Sequence, residues 1–313
     1  MANTYGKVSG TFQEIENAYG KVSGTWQEAD EIYAKNSGTW ELVFAAFTAG
    51  SVQTLSSGSG TFTVPEGANA IHIQASVGGG GGAAGGVSYD RAGGESSGAG
   101  GGSGAYVSDK VFTVTEGETI SYVIGGGGAA GNQTANFGQP KTGSAGTNTT
   151  LSGSSVGSIF TLAAGGGASG INGGVQGPLR TNIAGTAGSA TINGTAISSG
   201  NFRDLDGSTK SVTTLTSGPV GTFNQSGNGV AGNNNGNCSG DNCQIGGSTG
   251  AASYSGNIAG GAGSPQGGST GGSAGTRGSG GGGGGAQYGN ESVTGRAEVG
   301  GAGEVQYRFL RVN

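Results

Sequence analysis

Residues 104–128 read GAYVSDKVFTVTEGETISYVIGGGG and decide the fold of the chain. Apolar and polar residues alternate on both sides of the turn TEG. A period of two predicts β-strands with one buried face and one solvent-exposed face. A copy of this pattern stands 50 positions earlier, where FTVPEG at residues 62–67 matches FTVTEG at residues 112–117. Both copies then run into glycine. The sequence therefore predicts two hairpin-like β units that lead directly into glycine tracts.

Further short runs extend the β pattern. SIFTLAA at residues 158–164 is an apolar run that ends at glycine, and EVQYRF near the end of the chain alternates again. No stretch has the spacing of an amphipathic helix. The chain is therefore expected to be mainly β, with essentially no α-helix. The inward-facing positions are predicted to be Ile71, Ile73, Ala75, Val77, Ile120, Tyr122, Ile124, Val305, Tyr307 and Phe309.

Glycine supplies 77 of the 313 residues and recurs at every third position in several tracts, as at Gly125, Gly128 and Gly131. Three residues per turn is the period of a polyproline-II helix, and chains without Cβ atoms can pack close together. Collagen is excluded, because the chain has five prolines and no strict G-X-Y period. The favoured interpretation is a glycine-rich β-sandwich/polyglycine-II helix domain, with flexible linkers and plain β-structure as the alternatives.

The first 47 residues differ in composition and carry a 14-residue repeat, Y-x-K-x-S-G-T-[FW]-x-E. The Ser-Gly pair predicts a tight hairpin turn in each of three repeats, with glycine at positive φ. The aromatic residues on either side of the turn are expected to pair across the strands, as a small sheet core or as a ligand surface. They are Tyr5, Phe12, Tyr19, Trp26, Tyr33 and Trp40. The chain thus divides into a β-hairpin repeat module at 1–47 and a glycine-rich domain at 48–313.

Residues that usually carry chemistry are scarce. One histidine and two cysteines are too few for an ordinary zinc site, and 13 scattered Lys and Arg residues form no basic stripe for nucleic acid. His72 lies between two inward isoleucines and is expected to be solvated. No apolar run approaches the about 20 residues of a membrane helix, and the polar start MANTYGKVSG argues against a secretory signal. We expect no enzyme activity, catalytic residue, metal, cofactor or nucleic-acid partner.

Polar segments between the glycine tracts hold the larger side chains of the second domain. Binding residues usually lie on such loops, and Tyr, Asn, Ser and Gly are typical of adaptable recognition surfaces. The alternating Asp204 and Asp206 favour a solvated turn over a sugar- or cation-binding contact. Cys238 and Cys243 enclose SGDN, and a disulfide is favoured over two free thiols. The candidate binding residues are Tyr89, Asp90, Arg91, Phe137, Phe202, Arg203, Asp204, Phe223, Asn224, Asn235, Asp241 and Tyr254.

Together these motifs resemble the glycine-rich domains of bacteriophage tail proteins. The resemblance covers roughly residues 58–313 and rests on GTFTVPEG, GGGGGAAGG, residues 104–128, SIFTLAAGGG and GEVQYRF. The YxKxSGTW repeats resemble short repeats of phage tail and fibre proteins. The nearest functional analogue is the distal tail-fibre adhesin of T-even-like phages, in which tip loops on packed polyglycine-II helices contact the receptor. The chain departs from that pattern in its repeats, its β units and its longer segment at residues 175–258.

The resemblance implies a virion adhesin of the tail fibre or tail tip, exposed to the extracellular medium. Residues 1–47 would then attach to another virion tail or fibre protein or form a homotrimer. The candidate binding residues would be receptor-binding loops for a host surface glycan or outer-membrane protein. The alternatives are a non-adhesive structural or head-fibre decoration protein of the virion, an ice-binding protein with a regular Thr/Ala/Gly face, and a depolymerase.

Overall fold

A computed structural model describes residues 5–8, 11–14, 19–28, 31–36, 38–45, 47–76, 95–96, 99–131, 142–168, 183–216, 234–235, 244–245, 286–287 and 297–313. They form 22 strands and one short helix, α1 (Val212–Thr216), which confirms the prediction of a mainly β protein. The strands are β1 (Tyr5–Val8), β2 (Thr11–Glu14), β3 (Tyr19–Val22), β4 (Thr25–Glu28), β5 (Glu31–Asn36), β6 (Thr39–Ala45), β7 (Gln53–Leu55), β8 (Ser59–Thr63), β9 (Ala70–Ser76), β10 (Glu95–Ser96), β11 (Tyr106–Thr113), β12 (Thr119–Val123), β13 (Thr149–Gly153), β14 (Gly157–Leu162), β15 (Ala190–Ile192), β16 (Ala196–Ile197), β17 (Asn201–Arg203), β18 (Thr209–Ser211), β19 (Asn234–Asn235), β20 (Gln244–Ile245), β21 (Ala286–Gln287) and β22 (Glu304–Leu310).

The N-terminal strands form three antiparallel hairpins, in which β1 pairs with β2, β3 with β4 and β5 with β6. In the second hairpin Ser23 and Gly24 both have positive φ, at 50° and 86°, as a type I′ turn requires. In the third hairpin Gly38 has φ of 93°. These two turns confirm the predicted role of glycine.

The register of the hairpins decides how the aromatic residues lie across the strands. In the second hairpin Tyr19 lies opposite Glu28, and Lys21 lies opposite Trp26. A two-residue turn pairs residues that are equally far from it, and Tyr19 is two positions farther from the turn than Trp26. Tyr19 and Trp26 are therefore diagonal neighbours across the two strands, a separation that aromatic side chains can span.

Ten strands form a sandwich of two five-stranded sheets. The first sheet has the order β16-β11-β9-β22-β7, and the second has the order β15-β14-β13-β12-β8. The chain passes between the sheets through β7 and β8 at one side and through β15 and β16 at the other. Phe47, the last residue of the predicted first module, packs against the core. The largest fully buried side chains of this core are Phe112, Phe160, Ile71, Ile73, Ile120, Leu151, Ile159 and Leu162.

The two duplicated units have matching turns and connect the two sheets. Gly67 and Gly117 have φ of 84° and 73°, and the Gly117 N–H donates to the Val64 carbonyl at 3.1 Å. One unit runs from β8 in the second sheet to β9 in the first, and the other runs from β11 in the first sheet to β12 in the second. The prediction of hairpins is therefore wrong, because each unit is an arch with strands in opposite sheets. The alternation of apolar and polar residues indicates which face of a strand is buried, but it does not indicate which strand lies next to it.

The predicted inward positions are confirmed where the structure describes their side chains. Val77 lies outside the described residues, and so does the side chain of Ala75. The others belong to the main core or pack against it: Ile71, Ile73, Ile120, Tyr122, Ile124, Val305, Tyr307 and Phe309.

The other face of the first sheet is also covered. Ala70, Val111 and Leu310 form a second core with Phe202 of β17 and Val212 of α1. The expectation of a wet outer face is therefore wrong for this sheet. The covering elements come from a segment that has no long apolar run, and for this reason they could not be predicted from the sequence.

Six glycine-rich segments extend from the sandwich, and we name them g1 (residues 99–105), g2 (125–131), g3 (142–148), g4 (163–168), g5 (183–189) and g6 (297–303). Backbone hydrogen bonds of 2.8–3.3 Å join neighbouring segments, and within each pair they recur at three-residue intervals. From N–H to carbonyl oxygen, the bonds are Gly102 to Gly166 and Ala105 to Ala163 between g1 and g4, Gly185 to Gly100 and Gly188 to Ser103 between g5 and g1, and Gly166 to Thr186 and Ala163 to Ser189 between g4 and g5. Those of the other three pairs are Gly143 to Ala168 and Gly146 to Gly165 between g3 and g4, Ser144 to Ala129 and Thr147 to Gly126 between g3 and g2, and Gly300 to Gly128 and Gly303 to Gly125 between g6 and g2.

Burial follows the same interval in g2, g4 and g5, whereas every residue of g1 is buried. In g2 the buried residues are Gly125, Gly128 and Gly131, and in g5 they are Gly185 and Gly188. The period of three is that of a polyproline-II helix and differs from the two-residue period of a strand. The glycine tracts described here are therefore packed segments and not free linkers.

Candidate functional site

The six segments share one orientation relative to the sandwich. Four of them, g1, g3, g5 and g6, lead into β11, β13, β15 and β22, whereas g2 and g4 follow β12 and β14. Each segment therefore has one end at the sandwich and one end away from it. The hydrogen bonds agree, because residues near the sandwich pair with one another across every neighbouring pair. The far ends are Ala99, Gly131, Thr142, Ala168, Ile183 and Ala297, and we call this group the loop-bearing end.

Four long stretches of sequence are attached to the loop-bearing end. Residues 132–141 and 169–182 begin and end there, and residues 77–98 and 217–296 return to the bundle there. Within these stretches the structure describes two short antiparallel pairs, β10 with β19 and β20 with β21. Strand β10 ends three residues before g1 begins, so this pair lies within about 11 Å of the loop-bearing end.

Most of the predicted binding residues belong to these four stretches. Asn235 forms part of β19, opposite Glu95 of β10. Cys238 and Cys243 of the predicted disulfide lie outside the described residues. So do eight predicted binding residues: Tyr89, Asp90, Arg91, Phe137, Phe223, Asn224, Asp241 and Tyr254.

Three predicted binding residues lie elsewhere, on the β17–β18 hairpin that covers the first sheet. Phe202 is 2% exposed and belongs to the second core, so it cannot contact a receptor in this fold. Its prediction as a binding residue is therefore wrong. The short segment NFRD resembled a polar loop, but β17 turns its phenylalanine inward. Arg203 is half-buried next to it.

Asp204 is a buried ionic anchor of this hairpin. Its Oδ1 accepts from Arg308 Nη1 of β22 at 2.7 Å, and its Oδ2 accepts from Lys210 Nζ. Burial opposes ionisation of Asp204, but the bonds from Lys210, the Leu205 N–H and Arg308 outweigh it and lower its pKa to about 2. The guanidinium of Arg308 also lies 5.5 Å from the ring centroid of Phe202. Asp204 thus ties the hairpin to the sandwich, and its predicted role in binding is wrong.

Asp206 occupies the exposed turn of the same hairpin. Its Oδ1 accepts from the side chain and the N–H of Ser208, which together with Lys210 lower its pKa. Its side chain is 61% exposed, whereas that of Asp204 is 10% exposed. The solvated-turn interpretation therefore holds for Asp206 and is wrong for Asp204.

His72 also differs from its prediction. It faces away from the main core as expected, but the second core covers that face, and the side chain is only 15% exposed. Its Nε2 lies 3.5 Å from Asp109 Oδ1, at a β-bulge where Asp109 has φ of 49°. Burial lowers the pKa of His72, and its cross-strand neighbour Arg308 lowers it further. The prediction of a solvated His72 is therefore wrong.

Sequence reasoning missed Arg308, Lys210 and Asp109. In EVQYRF the alternation places Arg308 on the face away from the main core, where a charged residue needs no explanation. A signal was available, because an acid-rich turn followed by a lysine predicts local ion pairing.

Within the described ranges, no three His, Cys, Asp or Glu side chains come together as a metal site. None of the described helical residues forms a helix long and apolar enough to cross a membrane.

The fold and the loop-bearing end define a class of protein in which a β-sandwich carries a packed bundle of glycine-rich segments with long insertions at its far end. The family model described as a glycine-rich domain matches residues 54–310, and the chain belongs to this family. No curated protein sequence matches the chain.

Proposed function

We propose that the chain is an adhesin of a bacteriophage virion, a receptor-binding protein of the tail fibre or tail tip. It attaches the exposed virion to a host surface glycan or outer-membrane protein. One observation carries the proposal: each of the six described segments g1–g6 has its far end at the loop-bearing end, where four long stretches of sequence join the bundle. Binding residues usually lie on loops that a rigid scaffold holds in position, and this arrangement is of that kind.

The base consists, in this proposal, of polyglycine-II helices. Three-residue intervals in both hydrogen bonding and burial support this assignment. So does the close approach of backbones, since a Cβ built on Gly102 would lie 2.0 Å from the Thr186 carbonyl oxygen. Only glycine fits at such a distance.

The receptor contacts come from the four attached stretches and not from the β17–β18 hairpin. These stretches contain the predicted Tyr, Phe, Asn and Asp residues, whose side chains suit recognition of polar surfaces. Each contact is modest, and many copies on one virion multiply the binding. Residues 1–47 attach the chain to another virion protein or to further copies of itself.

The test shortens one attached stretch without disturbing the base. Segments g2 and g3 are hydrogen-bonded neighbours, so a short Gly/Asn turn can replace residues 132–141. The fluorescently labelled wild-type protein should bind cells of the host and block infection. The shortened variant should lose a large part of that binding while its melting temperature stays unchanged.

A matched control changes an exposed side chain far from the loop-bearing end. Leu205 is 63% exposed at the turn of the β17–β18 hairpin, and Leu205→Ser should bind cells as the wild type does. Shortening of both 132–141 and 169–182 without any loss of binding would overturn the proposal. Absence of cell binding by the wild-type protein would favour a decoration protein instead.

A further inference from the structure

The three N-terminal hairpins present nearly the same residues at the same register positions. In the first hairpin Tyr5 lies opposite Glu14, and Lys7 lies opposite Phe12. In the second hairpin Tyr19 likewise lies opposite Glu28, and Lys21 lies opposite Trp26, so that only the second aromatic residue differs. The third keeps Lys35 opposite Trp40. In the third hairpin Tyr33 lies opposite Leu42 and not opposite a glutamate, so the whole surface is shared by the first two hairpins only.

The alternation of residues along each strand places the aromatic and charged residues of a hairpin on one face. In the first hairpin Tyr5 and Lys7 are two residues apart on one strand, and Glu14 and Phe12 lie opposite them on the other. Because residues two apart on a strand share a face, all four lie on the same face of the hairpin. The other face has only glycine, valine, threonine and glutamine positions. Tyrosine and tryptophan are the residues that most often dominate protein–protein binding energy.

The charges on this face favour a second copy of the chain as its partner. Each of the first two hairpins places one lysine and one glutamate there, at Lys7 and Glu14 and at Lys21 and Glu28. A face with one charge of each sign is complementary to itself, since a copy turned around can bring lysine to glutamate twice. A closed symmetric pair of copies uses the same surface on both chains in this way.

A partner would stabilise the hairpins. In the part of the chain that the structure describes, each of the six strands pairs only within its own hairpin. A lone two-stranded hairpin is marginally stable in water. The connections from residue 14 to 19 and from 28 to 31 reach at most about 18 Å and 11 Å, so the three units lie close together. A second copy with the same spacing can therefore engage more than one hairpin at once.

We infer that residues 1–47 form a self-association module, in which the Tyr, Lys, aromatic and Glu faces of the first two hairpins bind the same faces of a second copy of the chain. This inference does not depend on receptor binding.

The first measurement is the mass of the purified full chain in solution by light scattering at micromolar concentration. The full chain should have at least twice the monomer mass of 29.7 kDa. A variant that begins at residue 47 should be a monomer, since Phe47 belongs to the sandwich core and stays in place. A monomeric full chain, or a truncated variant that still associates, would overturn the inference.

A charge exchange tests the face itself. The double variant Lys7→Glu, Lys21→Glu should be monomeric, and so should Glu14→Lys, Glu28→Lys, because each leaves like charges facing each other. An equimolar mixture of the two should associate again with wild-type mass. Failure of the mixture to associate would show that these residues do not meet between copies. Neither experiment involves host cells, so its failure is distinct from a failure of the adhesin proposal.

Discussion

Replacing Gly127 by alanine tests whether the glycine segments are held together by direct backbone contact. A Cβ at this position would lie 1.8 Å from the Gly300 carbonyl oxygen and 2.4 Å from its carbon. These are backbone atoms that no side-chain rotation can move. Segments g2 and g6 must therefore separate, which breaks the bonds from Gly300 to Gly128 and from Gly303 to Gly125.

The cost follows from these contacts. Two lost hydrogen bonds contribute about 1 kcal/mol each, and the forced displacement adds about 1–3 kcal/mol. The free energy of unfolding should thus fall by about 3–5 kcal/mol, which lowers the melting temperature by roughly 6–15 °C for a domain of this size. Urea unfolding and calorimetry of the full chain measure both values.

The neighbouring glycine supplies the control. A Cβ on Gly126 would meet only the Thr147 hydroxyl, at 3.7 Å, and its φ is not in the left-handed region. Gly126→Ala should therefore be neutral or stabilise by about 0.5 kcal/mol, because alanine restricts the unfolded chain. Equal stability of the two variants would refute the idea that backbone contact excludes a side chain at Gly127.

Three further substitutions test individual side chains. Asp204→Ala should lower the free energy of unfolding by about 2 kcal/mol at neutral pH, since it leaves the buried Arg308 unpaired. Because the pKa of Asp204 falls from 3.8 to about 2 on folding, the difference should be complete above about pH 4 and disappear as the pH drops through about 2, in urea titrations at each pH. Burial lowers the pKa of His72, so the wild type should lose stability as the pH falls below 6.5, and His72→Gln should not show this loss in melting curves. Thr147→Val removes the hydroxyl that accepts from the Gly126 N–H at 2.7 Å and should cost about 1 kcal/mol and speed exchange of that amide, whereas Thr147→Ser should restore both.

The strands could be predicted from the sequence because inward and outward positions alternate locally. Ile71 and Ile73 indicate a buried face without any knowledge of the partner strand. The partner is a long-range property, and the matching FTVPEG and FTVTEG motifs do not specify it. The structure places each motif at an arch between the sheets, with a hydrogen bond between the two turns. The two similar motifs therefore predict strands on both sides of each turn but not which strands pair.

The binding residues were harder to predict for a related reason. Phe202 and Asp204 lie in a short polar segment, and exposure is the natural expectation for such residues. Phe202 is buried against distant residues such as Val111 and Leu310, and Asp204 pairs with Arg308, which is more than 100 positions away in the sequence. The three-residue period of glycine, in contrast, was visible in the sequence, because a period set by the backbone needs no distant partner. What it could not reveal is that all six segments end together.

Strand β22 has a consequence for the synthesis of the protein. It lies between β9 and β7 in the first sheet, yet the ribosome makes it after every other described strand. Until residues 304–310 leave the ribosome, β9 and β7 have no common neighbour, and the apolar face of β9 lacks Val305 and Tyr307. The first sheet can therefore be completed only after residues 304–310 have been synthesised, although domains usually fold as they emerge. A chain cut before residue 304 would lack the strand that joins β9 to β7 and would leave the apolar face of β9 incompletely covered.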